Sequence, residues 1–165
     1  DHYIRDAAAA TSAAPTFFAP KAVSNADEHT KQEQHTEIDG GIYANNPALA
    51  ALIAVSRLYP HFSREELIVV SLGTGKPEQH AQSYEGISGI SNLISDMMES
   101  NGELIDDTLK AIVPNYYHFQ LRLPDKLVPM DKGNPKHLAK LVEQAENLLE
   151  ARKEEIAALL PQLVR

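Results

Sequence analysis

Apolar positions change period several times along the chain, and each change marks an element. Residues 1–14 form an alanine-rich stretch in which Ile4, Ala7 and Ala8 share a helical face, and Pro15 stops it. Thr16 to Pro20 is a short extended piece between two prolines; Phe17 and Phe18 would line an acyl groove or fill a core, and a core is expected. Residues 24–36 hold no aliphatic side chain larger than alanine; Asn25, Asp27, Glu28, His29, Lys31, Gln32, Glu33, Gln34 and His35 make a solvent loop or hairpin. Ile38-Asp39-Gly40-Gly41-Ile42 then reads as a strand end running into a glycine turn. Asn46 at the N-cap and Pro47 at the first helical position open an amphipathic helix that reaches about Tyr59.

The run 67–72 is apolar on both faces, the pattern of a central strand covered on each side by helices. Residues 87–112 predict one helix, or two broken near Gly102. Tyr117, Phe119, Leu121 and Leu123 alternate along a further strand. Residues 136–160 carry the strongest helical stripe, through Leu138, Leu141, Val142, Ala145, Leu148 and Leu149. Helices alternating with strands predict an α/β layered fold, and 165 residues suffice for one domain.

Composition narrows the function classes. The formal net charge of −8 opposes a nucleic-acid footprint, so no nucleic-acid partner is expected. With no cysteine, thiolate metal sites, disulfides and a cysteine nucleophile are excluded. The seven histidines are scattered without metal-ligand spacing, so surface histidines and no metal or cofactor are expected. No apolar run is long enough to span a bilayer; a soluble protein is expected, cytoplasmic or exported. The chain begins Asp1-His2-Tyr3 without Met, as though it started inside a fold.

Asp39-Gly40-Gly41 is the most informative tripeptide. A carboxylate at a strand end sits where α/β sheets build their sites, and it can serve as a general base for a neighbouring hydroxyl. The glycines let the backbone turn and keep bulky groups from the carboxylate. Taken alone, the tripeptide reads first as a turn. Gly73-Thr74-Gly75-Lys76 lacks the residues of a phosphate loop, Pro77 standing where Ser or Thr belongs, and reads as a strand-to-loop turn. Asp106-Asp107 reads as a solvated helix face, and Ser12 as a packing or loop-anchoring residue.

The order of motifs is more specific than any one of them. Ala10-Thr11-Ser12-Ala13-Ala14-Pro15, then Asp39-Gly40-Gly41, Asn45-Asn46-Pro47 and Ser71-Leu72-Gly73-Thr74-Gly75 together resemble the C-terminal half of the patatin-like phospholipase family. Tyr116-Tyr117-His118-Phe119-Gln120, Met130-Asp131 and Glu146-Asn147-Leu148-Leu149 continue the resemblance to the end of the chain. It implies a three-layer α/β/α fold, of which residues 1–165 supply the C-terminal part of a single domain. It also implies lipid acyl hydrolysis by a serine–aspartate dyad, with Asp39 as the base, Gly40 and Gly41 as loop support, and a lipid ester at a membrane or micelle surface as substrate.

The chain departs from the family at the serine. No G-x-S-x-G occurs: Gly86-Ile87-Ser88-Gly89-Ile90 ends in isoleucine and follows Asp39, and Ser71 lacks the glycine two positions earlier. No glycine-rich oxyanion loop precedes Asp39 either. The expectation is therefore that the chain alone is inert, and that it contacts a missing N-terminal half or a second copy. The alternative is a non-catalytic binding or assembly module that keeps part of the fold.

Overall fold

The computed structural model describes residues 3–15, 17–24, 34–78, 84–129 and 132–164. The expectations for Thr16, for residues 25–33 and for Met130-Asp131 lie outside them. The described residues form an α/β fold of mixed helices and parallel and antiparallel strands. Contacts gather into two compact units, residues 1–45 with 83–102, and residues 46–82 with 103–165.

In the first unit, helix α1 (Ile4–Thr11) is followed by an antiparallel pair, β1 (Lys21–Ser24) and β2 (Gln34–Glu37). Where it is described, the polar stretch is antiparallel strand, with Ser24 opposite Gln34. Ala10, Ala13 and Val23 are buried here, and Lys21 pairs with Asp6 at 3.4 Å, tying β1 to α1. Phe17 and Phe18 are 57% and 65% exposed, not core as expected: both backbone N–H groups donate to the Ala14 carbonyl, a tight turn that throws the two rings outward. A one-turn helix, α2 (Gly41–Ala44), closes the segment.

The second unit is built on α3 (Ala48–Leu58) and a parallel pair, β3 (Ile68–Leu72) with β5 (Asn115–Phe119), in register from Ile68↔Asn115 to Leu72↔Phe119. The crossover is α4 (Gly86–Ile112), one unbroken 27-residue helix that runs through Gly102 and ends in this unit. Ala48, Leu52, Ile105, Leu109 and Val113 make the core, with Val69 and Tyr116 packed against it. One face of the β3–β5 pair thus lies on α3 and the end of α4.

Between β3 and the short β4 (Lys76–Pro77), Gly73-Thr74-Gly75 does not make the expected turn: the chain runs on beside the same partner segment, with the Gly73 N–H donating to the Phe119 carbonyl. Gly75 has φ +100°, and a Cβ on it would lie 2.4 Å from Leu123 Cδ1, so only glycine fits. Pairing resumes beyond it: the Lys76 N–H donates to the Leu121 carbonyl, and β4 runs parallel to β6 (Arg122–Leu123). The strand predicted through Leu123 is accordingly interrupted after Phe119.

The C-terminal helix starts as Asn134-Pro135 dictates, with the Asn134 side chain accepting from the His137 N–H at 3.0 Å. It is two helices, α5 (Pro135–Ala151) and α6 (Lys153–Leu163), rather than one. Arg152 leaves helical geometry at φ −110°, ψ 16°, pairs with Glu155 and places its guanidinium 5.1 Å from the Phe119 ring centre. No described helix is long and apolar enough to cross a membrane.

Leu109 is fully buried whereas Leu104, on the same helix, is 67% exposed. Leu109→Ala is expected to lower unfolding free energy by about 2–5 kcal/mol in urea titrations. Leu104→Ala is expected to change it by less than about 0.5 kcal/mol.

Candidate functional site

Asp39 lies two residues beyond the end of β2 and just before α2. Its N–H donates to the Ala13 carbonyl at 3.0 Å. The alanine-rich stretch and the Asp-Gly-Gly segment, 26 residues apart in number, are thus bonded backbone to backbone. Its side chain is fixed as well: the Gly41 N–H donates to Asp39 Oδ1 at 2.7 Å. The residue is half-buried, and no basic group among the described residues pairs with it. One carboxylate oxygen is therefore held by the backbone while the other keeps its acceptor capacity.

The two glycines do different work. A Cβ on Gly41 would lie 3.1 Å from Asp39 Oδ1 and 3.2 Å from Met98 Cε, so glycine leaves the carboxylate its room. Gly40 has φ −65°, open to any residue, and nothing within 4 Å of a Cβ. Gly86-Ile87-Ser88-Gly89-Ile90 opens α4 and has no elbow geometry. Ser12 anchors the end of α1, its Oγ donating to the Ala8 carbonyl at 2.8 Å.

A second polar constellation lies inside the other unit. Asn46 is buried; its Oδ1 accepts from the Ala48 N–H at 3.1 Å at the start of α3, where Pro47 rather than the expected Asn46 holds the N-cap position. The same oxygen accepts from Ser71 Oγ at 3.3 Å, and Asn46 Nδ2 donates to the Tyr116 hydroxyl at 3.4 Å. On the same face the Asp106 carboxylate holds His118 Nδ1 at 2.5 Å and Lys110 Nζ at 2.5 Å. Burial pushes the Asp106 carboxyl up, but hydrogen bonds from Lys110, Tyr116 and His118 outweigh it and hold the group below its ordinary value. The Tyr116 phenol is raised, chiefly by burial, with the bond to Asp106 acting in the same direction against Asn46 and Ser71.

This constellation corrects two expectations. Asp106 is not a solvated helix residue but a shielded acceptor, with 15% of its side chain exposed, whereas Asp107 at 78% is solvated as expected. His118 and His137 are not surface histidines: His118 faces Asp106, and His137 is buried where α5 starts. The missed signal was the other half of the strand alternation. Tyr116 and His118 share the face opposite Tyr117 and Phe119, and register sets Ser71 beside His118. The Ser71 hydroxyl donates to Asn46, however, so no serine–imidazole pair forms.

Among the described residues no cluster of histidine and carboxylate side chains could hold a metal ion.

Comparison with known proteins agrees with the motif order. The family model for patatin-like phospholipase matches residues 1–52, the segment that contains Asp39-Gly40-Gly41. Patatin-like protein 1 of Arabidopsis thaliana is 30% identical over 124 residues, 67% of this chain and 30% of that protein. Patatin-like protein 3 of the same plant is 28% identical over 180 residues, 90% of this chain and 42% of that protein. Patatin-like protein 2 of Oryza sativa subsp. indica is 27% identical, covering 89% and 44%. No solved structure matches. The resemblance is borne out: this is a patatin-like chain, and it spans less than half the length of these relatives.

One substitution tests the site's construction. Asp106→Asn is expected to cost about 2 kcal/mol at neutral pH, because Lys110 and His118 lose a charged acceptor. Since the folded carboxyl lies below its unfolded value, the stabilisation is complete above the ordinary aspartate value and is lost as pH falls through the depressed one. Wild-type and Asp106→Asn melting curves, apart at pH 7, should converge in acid.

Proposed function

We propose that the chain is the aspartate-bearing part of a lipid acyl hydrolase that cleaves carboxylic esters of phospholipids or related lipids. The observation that carries this reading is the state of Asp39. Its carboxylate is oriented by one N–H, free of ion pairs among the described residues, and half-open to an incoming group. Such a carboxylate takes the proton of a serine hydroxyl as that oxygen attacks the ester carbonyl, and returns it to the leaving alcohol. Water, deprotonated by the same carboxylate, then hydrolyses the acyl-enzyme.

The serine and the oxyanion donors come from sequence outside this chain, since no described or undescribed stretch has the elbow motif. The match to relatives more than twice as long supports that division of labour. On its own the chain is therefore inactive. No cofactor is needed, because the chemistry is proton transfer and acyl transfer only.

The test uses the full-length product of the gene that encodes this chain and a nitrophenyl ester in micelles. Asp39→Asn is expected to lower kcat by at least about 100-fold with an unchanged melting temperature. Hydrolysis that survives the substitution removes Asp39 from the mechanism and favours a binding module. Gly41→Ala, which crowds the carboxylate, is expected to lower kcat, and Gly40→Ala to leave it near wild type.

A further inference from the structure

The bend that carries Asp39 has an open side and a closed side. A Cβ built on Gly40 would meet nothing within 4 Å, whereas one on Gly41 would lie 3.1 Å from Asp39 Oδ1 and 3.2 Å from Met98 Cε. Met98 stands on α4, in the same compact unit as Asp39. Its methyl group is the nearest atom to that point from outside the bend. The Met98 methyl and the Asp39 carboxylate therefore gather around one place beside the Gly41 backbone. The large side chains of the segment itself do not brace it, since Ile42 and Tyr43 are both exposed. Met98 is half-buried, while its neighbour Met97 is exposed.

The orientation of the Asp39 carboxylate rests on one hydrogen bond, from the Gly41 N–H to Oδ1 at 2.7 Å. A hydrogen bond that competes with water gives only a modest preference for one rotamer, and the carboxylate torsion is two-fold, so half a turn exchanges the two oxygens. Reacting groups keep their geometry when packing adds to hydrogen bonding. Methionine suits that task, because its unbranched thioether reaches from a helix into an irregular gap. The gap here is the one left by the side chain that Gly41 lacks.

We propose that Met98 is a positioning residue for the reaction. By packing on Gly41 it holds the bend closed, keeps Oδ1 on the Gly41 N–H and leaves Oδ2 to take the serine proton from the open side at Gly40. Met98 touches no reacting atom in this scheme; it acts through the Gly41 backbone. The inference rests on the reading of Asp39 as the base, and adds to it which oxygen works and what keeps that oxygen in place.

The full-length gene product carries the test, with a nitrophenyl ester in micelles. Met98→Ala is expected to lower kcat by at least about 10-fold while KM stays within about twofold of wild type. Met98→Leu, which restores most of the volume, is expected to bring kcat back to within about threefold. Methyl-labelled methionine NMR supplies a readout that does not depend on turnover. Asp39→Asn, which changes charge and not size, is expected to move the Met98 methyl signal, identified by its loss in Met98→Leu, and to leave the Met97 signal in place. Wild-type kcat in Met98→Ala beside an inactive Asp39→Asn overturns the positioning role and leaves the base assignment standing. A loss of kcat that leucine does not recover, or that comes with an equal rise in KM, marks packing only and overturns it as well. If Met98→Ala does not fold, the methyl signal decides, and an unmoved signal overturns the proposal. An active Asp39→Asn overturns the base itself, and the positioning role falls with it.

Discussion

A carboxylate withdrawn from water must be matched by donors, and Asp106 has Lys110 from α4 and His118 from β5. A second chain of bonds runs from Tyr116 on β5 to Asn46 at the start of α3, and through Asn46 to Ser71 on β3. Four elements that the hydrophobic core holds by contact are therefore also held in register by direction. Apolar packing alone would let β3 slide along β5; a hydroxyl, an amide, a phenol and an imidazole that each have one geometry would not. The remaining architecture of that unit presupposes this alignment. The pairing continues past Gly75 into β4 and β6 only if Leu72 lies opposite Phe119.

The Asp39 segment follows a different logic. It is held by two backbone hydrogen bonds, one from its own N–H to Ala13 and one from Gly41 to its carboxylate, and by no charge partner among the described residues. A base that must change protonation during a reaction is poorly served by a tight ion pair, which would fix it in the charged form. The contrast with Asp106 is informative. One carboxylate is saturated with donors and suited to structure; the other is oriented and left with capacity.

Much of this was legible from residue order. The helix start just after Asn46-Pro47 and the apolar β3 run follow local rules, because the residues that decide them are neighbours. The link between Ala13 and Asp39 was foreshadowed only by the sequence of motifs. What was not legible depended on distant partners. Asp106 looked solvated because its neighbours in sequence are polar, and the residues that shield it lie on another element. Arg152 broke a continuous helical pattern for the sake of Phe119, more than thirty positions away in number. Phe17 and Phe18 were assigned to a core by their chemistry, and a two-bond turn at Ala14 decided otherwise.

The parallel pairing of β3 with β5 also sets an order of assembly. Every partner in that ladder is separated by 47 positions, 115 minus 68, whereas the inner pair of the β1–β2 hairpin, Ser24 and Gln34, is separated by 10. Closing the longer loop costs about 1.4 kcal/mol more in chain entropy, and a formed α4 removes most of the slack by turning 27 of the intervening residues into a rod. Helix α4 thus has a kinetic part to play as the splint on which the two strands find each other, and a helix-breaking change at a solvent-facing position of it would slow refolding more than it speeds unfolding.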